Sequence, residues 1–393
     1  MNKAAHDIHI TEVQAIVLQG EAKYASPVGD EEAAGVFQCC LIRVATDAGI
    51  IGWSDVETQP LVAKAVVDAP PSGFEMMDGL RSLAIGENPF DVERLWDKLF
   101  RGSIYFGRRG AAIQAISGID IACHDIMGKA TGLPVWRLLG GAHRRKVKAY
   151  ASTLFRPTPD AMRRASAAYL SRGFKAIKFG WGVFGEDARR DEALVRAARQ
   201  EMGDDAVLLV DPGWRVRRTA FDALETARML AQYGVFWMED FLAPDDYDGY
   251  ARVAEGVERL GLGVRIAAGE QEATAAGFRT LIERGRVHVA QPDISRCGGF
   301  TVARKITWMA QEHSTDVCPH AWLTDLLTSA SLHVNATLPR SLFLEFNVSE
   351  NSMLREVIAN PCRLNTDGTI DVPQAPGLGI EVNEKAVEEY RVA

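Results

Sequence analysis

Between about residues 145 and 346 the chain alternates short, continuously apolar runs with longer amphipathic ones. The short runs are VKAYAST, FKAIKFG, AVLLVDPG, VFWMED, VRIAAGE, VHVAQPD, TDVCPHA and LFLEFN. Most are separated by segments of helical period, such as AMRRASAAYLSRG, DARRDEALVRAARQEMG and AFDALETARMLAQYG. Short β-rich runs without polar alternation predict strands covered on both faces. Eight of them in strand–helix alternation predict an α/β fold, a parallel TIM barrel of the (β/α)8 type.

The pattern before this region is different. IHITEVQAIVL, FQCCLIRVATDAG and IIGWSDV have strand composition, and Thr46-Asp47-Ala48-Gly49 predicts a hairpin turn between the last two. Residues 21–35, polar and rich in small side chains, predict a long loop. Helices are expected over PFDVERLWDKLFR and GAAIQAISGIDIACHDIMGKATG, the second stopping at Gly132 and Pro134. The expected organisation is an α+β domain over 1–140, the barrel over 141–345 and a turn-rich C-terminal segment over 346–393.

Composition narrows the partners. The 393 residues are 47% hydrophobic and 24% charged, ordinary for a globular protein of one large or two linked domains. A net charge of −8 argues against nucleic acid, whose affinity comes from neutralised phosphates. It does not exclude an anionic substrate, because a bound cation reverses the local sign of a site. No apolar run reaches the roughly 18 residues of a membrane span, and MNKAAHDIHITEVQ lacks a secretory core. Six cysteines without a CxxC spacing argue against a disulfide framework or a zinc site. The expectation is a cytoplasmic protein acting on a small molecule.

The candidate chemistry stands at the strand ends. From the second run onward the closing polar residues are Lys178, Asp211, Glu239, Glu270, Asp293, His320 and Glu345, at steps of 23 to 33 residues. A single carboxylate after an apolar run is more often a helix N-cap. Seven ionisable groups in series match the way a barrel of this type draws its site from the ends of several strands. Asp211, Glu239 and Glu270, on successive strands, are expected to converge. Three converging carboxylates repel and call for a cation, and an all-oxygen set points to Mg2+ rather than zinc. Asp293 and His320, on the next two strands, are expected to share a hydrogen bond that sets the tautomer of the imidazole. His124, His288, His313 and His333 occupy no strand end and read as structural.

With these residues in place the chain resembles the mandelate racemase subgroup of the enolase superfamily over nearly its whole length. The resemblance is carried by GIDIACHDIMGKATGLPVWRLLGG, LVDPG, WMED, IAAGE, AQPDISRCGG, CPHAW and PGLGIEV, in that order. It implies Asp211, Glu239 and Glu270 as Mg2+ ligands and His320 as a base oriented by Asp293. It implies Lys178 at the substrate carboxylate and Glu345 as a hydrogen-bond donor to it. It further implies that the N-terminal domain caps the barrel together with the C-terminal tail, that loop 21–35 and the segment near Trp53–Glu57 shape specificity, and that the protein is a homo-oligomer.

Two positions depart from the family's pattern. Where members often carry Lys-x-Lys, this chain reads Lys178-Phe179-Gly180, so a second base is missing. Where an asparagine is usual two residues after the first metal-binding aspartate, Gly213 stands, leaving its contact to Trp214, to Arg215 or to none. Two-base racemisation needs a proton acceptor on each face of the α-carbon, whereas one base suffices for β-elimination. The expected activity is therefore Mg2+-dependent dehydration of an acid sugar, an aldonate or aldarate, to its 2-keto-3-deoxy acid. The alternatives are a racemase or epimerase of a 2-hydroxy acid, and a non-catalytic binding protein on the same barrel; a metal-dependent hydrolase is disfavoured for want of histidine ligands. Residues around Tyr24 and Arg101–Arg109 are expected to read the sugar's stereochemistry.

Overall fold

A computed structural model describes residues 7–25 and 32–393. Three strands open the chain: β1 (Ile10–Ala25), β2 (Glu32–Thr46) and β3 (Ile51–Val56) form an antiparallel meander. The turn between β2 and β3 is the one expected, closed by Gly49 N–H donating to Thr46 O at 3.0 Å. The long loop expected over 21–35 is mostly strand instead. β1 and β2 stay paired as far as Ala25 and Glu32, and the remainder, 26–31, lies outside the described residues. Ladder hydrogen bonds join backbone to backbone and need no apolar face, so composition does not reveal such an arm.

The helix Ala111–Thr131 packs across β2 and β3 and is buried along nearly all its length. Gly118 permits the close approach: a Cβ there would lie 2.6 Å from both Ile42 and Val56 side chains. The helix ends at Gly132, which has φ 71° and closes the last turn in the left-handed conformation.

All eight predicted barrel strands are present. They are β4 (Lys146–Leu154), β5 (Ala176–Gly180), β6 (Val207–Asp211), β7 (Trp237–Glu239), β8 (Arg265–Ala268), β9 (Val289–Ala290), β10 (Asp316–Val317) and β11 (Leu344–Asn347). They pair in parallel in the order β10-β9-β8-β7-β6-β5-β4-β11. Across the seam between β10 and β11, the Cys318 thiol donates to Phe343 O at 3.3 Å. After β11 a short strand, β12 (Thr369–Asp371), pairs antiparallel with the start of β4. The chain then returns to the first sheet, where Val392 N–H donates to Val17 O and Val17 N–H to Ala393 O, both at 2.9 Å.

The barrel interior is layered. Tyr150, Ala176, Leu209, Trp237, Ala267, Val289, Cys318 and Phe343, one from each strand or its edge, form one buried apolar cluster. Side chains two residues apart share a face of a strand. The next inward layer is therefore Ser152, Lys178, Asp211, Glu239, Gly269, Gln291, His320 and Glu345, all of them buried. An aromatic and aliphatic floor thus lies directly beneath a ring of polar groups. That ring is where the expected chemistry stands.

Candidate active site

A cavity of about 390 Å³ opens at the C-terminal ends of the strands, lined by Ser152, Lys178, Asp211, Glu270, His320 and Glu345 among others. Ligand oxygens of Asp211, Glu239 and Glu270 lie within 4.8 Å of one another. Asp211 and Glu239 end their strands, while Glu270 stands past the end of β8. The charge at this cluster is only partly balanced. Lys178 Nζ is 2.6 Å from Glu239 Oε1, Arg296 is 3.7 Å from Glu270 Oε1, and Asp211 Oδ1 accepts the Gly213 amide at 2.9 Å. Burial, and after it the charge of Glu239, push the Asp211 carboxyl well above its usual range. Burial also raises Glu239, against the opposing pull of Lys178. Three crowded carboxylates, offering only oxygen, fit a hard divalent cation.

Asp293 and His320 come together as expected: His320 Nδ1 is 2.7 Å from Asp293 Oδ2. The other oxygen of Asp293 accepts from the amide and the hydroxyl of Ser295, each at 2.7 Å. Asp293 is thus both the N-cap of the short helix Ile294–Cys297 and the partner of the imidazole, the two readings held by two oxygens of one carboxylate. With Nδ1 the donor to Asp293, Nε2 is left toward the three carboxylates, 3.1 Å from Glu270 Oε2. Burial disfavours an imidazolium here, but Glu345, Glu270 and Glu57 outweigh it and raise the His320 pKa well above the ordinary value.

Lys178 is enclosed between Glu239 and Glu345, at 2.6 and 2.8 Å. Burial opposes its charge, yet the two carboxylates overcome it and raise its pKa well above the ordinary value. Glu345 accepts from Ser152 Oγ at 2.6 Å and from the Ala321 amide at 2.8 Å. Despite burial, Lys178 and His320 hold its carboxyl below the usual value. In this arrangement Glu345 and Lys178 hold each other in place.

The departure at Gly213 has a structural origin. Trp181, with φ 49°, lines the cavity and lies over Gly213. A Cβ on residue 213 would stand 2.7 Å from Trp181 Cδ2, so the indole fills the space an asparagine would take. Neither Trp214 nor Arg215 replaces that contact at the cavity wall. Trp214 is exposed, and Arg215 donates to Gly182 O at 2.9 Å and pairs with Glu186 at 2.8 Å. Gly180 also lines the cavity, against Asp211.

Several residues at the site were not expected. Ser152 follows the inward Tyr150 by two, and that spacing is a signal that could have found it. Arg296 reaches the cavity from outside the barrel strands, within the motif AQPDISRCGG, whereas Glu57 belongs to the segment near Trp53–Glu57 that was expected to shape specificity. Arg109 points elsewhere, 3.5 Å from Asp245 and 4.0 Å from Glu272, and Arg101 pairs with Asp97 at 2.8 Å, so neither lines the cavity. Tyr24 lies in β1, with its side chain outside the described residues.

Comparison with known proteins agrees with this architecture. Residues 32–140 match the family described as the mandelate racemase / muconate lactonizing enzyme N-terminal domain. Residues 160–386 match the enolase C-terminal domain-like family. D-galactarolactone cycloisomerase of Agrobacterium fabrum is 32% identical over 90% of this chain and 91% of its own length. Arabinonate dehydratase of Saccharolobus solfataricus is 32% identical over 89% of each chain. The crystal structure of the 3,6-anhydro-D-galactonate cycloisomerase from Zobellia galactanivorans superposes with a TM-score of 0.84 at 29% identity, covering 98% of this chain and 100% of that one. A capped barrel with these strand-end residues, matched by both family halves, makes this chain a member of the mandelate racemase and muconate lactonizing enzyme family of the enolase superfamily.

Proposed function

We propose that the protein is a Mg2+-dependent dehydratase of an acid sugar, an aldonate or aldarate. The observation that carries this reading is a cavity with one oriented imidazole facing three carboxylates, and glycine at 180 where a second base would stand. Arabinonate dehydratase, at 32% identity, supports the substrate class.

In this reading Asp211, Glu239 and Glu270 hold the cation. Bound there, Mg2+ supplies Lewis-acid stabilisation of the negative charge that develops on the substrate carboxylate. Lys178 donates to that carboxylate, and Glu345 and Ser152 keep the ammonium in place. His320, its Nδ1 proton tied to Asp293, takes the α-proton at Nε2. The electron pair of that C–H bond becomes the Cα–Cβ π bond as the β C–O bond breaks. His320 then returns its proton to the departing hydroxyl, which leaves as water, and the enol rearranges to the 2-keto-3-deoxy acid. Trp181 offers an apolar face to the C–H side of the sugar chain.

The two cycloisomerases among the relatives favour a second reading. In it the same proton is removed but the C–O bond that breaks belongs to a ring, so the product keeps the mass of the substrate. A panel of acid sugars and their lactones, incubated with Mg2+ and followed for 2-keto acids by mass, separates the readings. A product lighter by one water supports dehydration, and one of equal mass supports cycloisomerisation. Recovery from D2O of α-deuterated substrate with inverted configuration would point instead to a racemase. No turnover across the panel would leave a binding protein. Glu239→Gln is expected to weaken Mg2+ binding, and an unchanged affinity by calorimetry removes Glu239 from the ligand set.

A further inference from the structure

β3 ends beside the His320–Asp293 pair, and two carboxylates stand there, Asp55 within the strand and Glu57 just after it. Asp55 Oδ2 accepts from the amide and the hydroxyl of Thr324, at 2.9 and 2.6 Å, on the segment that follows His320. Two residues later Glu57 addresses the segment that carries Asp293. Its amide donates to Ser295 Oγ at 3.1 Å, and that hydroxyl donates to Asp293. Its carbonyl accepts from Arg296 Nε at 2.9 Å, and its Oε1 lies 2.8 Å from Arg296 Nη2. The same guanidinium donates to the carbonyl of Glu270 at 3.1 Å. The remaining oxygen, Glu57 Oε2, is buried without a hydrogen-bond partner and stands 3.6 Å from His320 Nδ1. Leaving a buried carboxylate oxygen unpaired costs free energy, so its retention at the edge of an imidazole requires a reason.

We propose that Glu57 is a positioning residue for His320. Together with Asp293 it presents carboxylate oxygen to the Nδ1 edge of the ring, which fixes the Nδ1–H tautomer and turns Nε2 toward the cavity. Asp55 and Glu57 project from one edge of the N-terminal sheet and hold the two halves of the pair, so the base is assembled only when that sheet is docked on the barrel. The catalytic part of this inference rests on the dehydratase reading; the geometric part does not.

The test uses the full-length, Mg2+-loaded protein carrying Glu57→Gln, which keeps the size of the side chain and an acceptor for Arg296 but replaces the charge facing His320. Two readouts are taken. Nitrogen NMR of the histidine side chains, with the His320 signals identified by their loss in His320→Asn, reports the tautomer with or without turnover. Kinetics on the acid sugar report kcat and KM separately. The expected result is a changed His320 nitrogen pattern and a kcat reduced roughly 10–100-fold, with KM, Mg2+ affinity and melting temperature held. An unchanged His320 pattern overturns the proposal. So does a lowered melting temperature with kcat per folded molecule intact, which would make Glu57 an interdomain tie only. If the wild type turns over no acid sugar, the dehydratase reading fails while the NMR comparison still decides the role of Glu57. Should Glu57→Gln not fold, Ser295→Ala breaks the relay from the Glu57 amide to Asp293. It is expected to alter the His320 pattern in the same way, and an unaltered pattern overturns the proposal.

Discussion

Two layers of the barrel interior, two residues apart along every strand, hold opposite chemistry. The floor is Tyr150, Trp237, Phe343 and smaller apolar groups, its rings meeting edge-on at centroid separations of 5.7 to 6.2 Å. The layer above it carries Lys178, Asp211, Glu239, His320 and Glu345. The floor does more than fill space. It removes water from beneath the ionisable groups, so each charge is answered by another side chain or, as proposed, by a cation. Trp237 joins the layers, its Nε1–H donating to Glu239 Oε2 at 2.9 Å, and Lys178 Nζ stands 5.4 Å over the Tyr150 ring. Stability and chemistry are thus divided between alternate residues of the same strands.

The sharpest break between the layers is expected from His320→Asn. It should lower kcat by on the order of 10³-fold or more while leaving the melting temperature and Mg2+ affinity nearly unchanged. Retained turnover would mean that the base lies elsewhere. Phe343→Ala is the converse change, in the floor. Removal of a buried ring should cost about 3–5 kcal/mol in chemical denaturation. A cost below about 1 kcal/mol would mean that the floor does not carry the barrel.

A second pair sharpens the comparison: His320 and His333 are both buried, yet burial prevails in only one of them. His333 accepts the Trp136 amide at Nδ1, at 3.2 Å, and its Nε2 lies 3.2 Å from Leu378 O. No carboxylate offsets the desolvation, and its pKa falls from 6.5 to about 4. Above pH 6.5 both folded and unfolded chains hold this ring neutral, and its full contribution to stability is present. As pH falls from 6.5 to about 4 the unfolded chain takes up a proton that the folded one refuses, so stability is lost through that window. The loss attributable to this group is about 3 kcal/mol at its limit. Urea unfolding from pH 7 to pH 4.5 should show a shallower decline in His333→Gln than in the wild type, and parallel declines would refute the assignment. The smallest effect is expected from Trp237→Phe, which keeps the floor ring and removes the donor to Glu239. A loss of about 1.5–3 kcal/mol is expected, and none would mean that the carboxylate finds another donor at once.

Much of this architecture was legible because it is written locally. Strand–helix alternation is a property of neighbouring residues, and it placed all eight barrel strands in order. Spacing along the chain likewise marked Lys178, Asp211, Glu239, Glu270, Asp293, His320 and Glu345, which the fold brings to one cavity rim or its immediate surround. The same reasoning failed where backbone pairing rather than side-chain pattern makes the element, as in the arm of β1 and β2 read as loop 21–35.

What the sequence determined by itself, then, is the order of the strands and the residue type at each strand end, because both follow from short-range period. Only the tertiary structure decided what those residues face. The Glu57–Arg296 pair spans 239 positions of chain, and Trp181 covers Gly213 from a neighbouring strand end. Glu345 is an acceptor because Lys178, Ser152 and Ala321 surround it. Charge state and contact are set by distances in space, on which the linear order of a folded chain places almost no constraint.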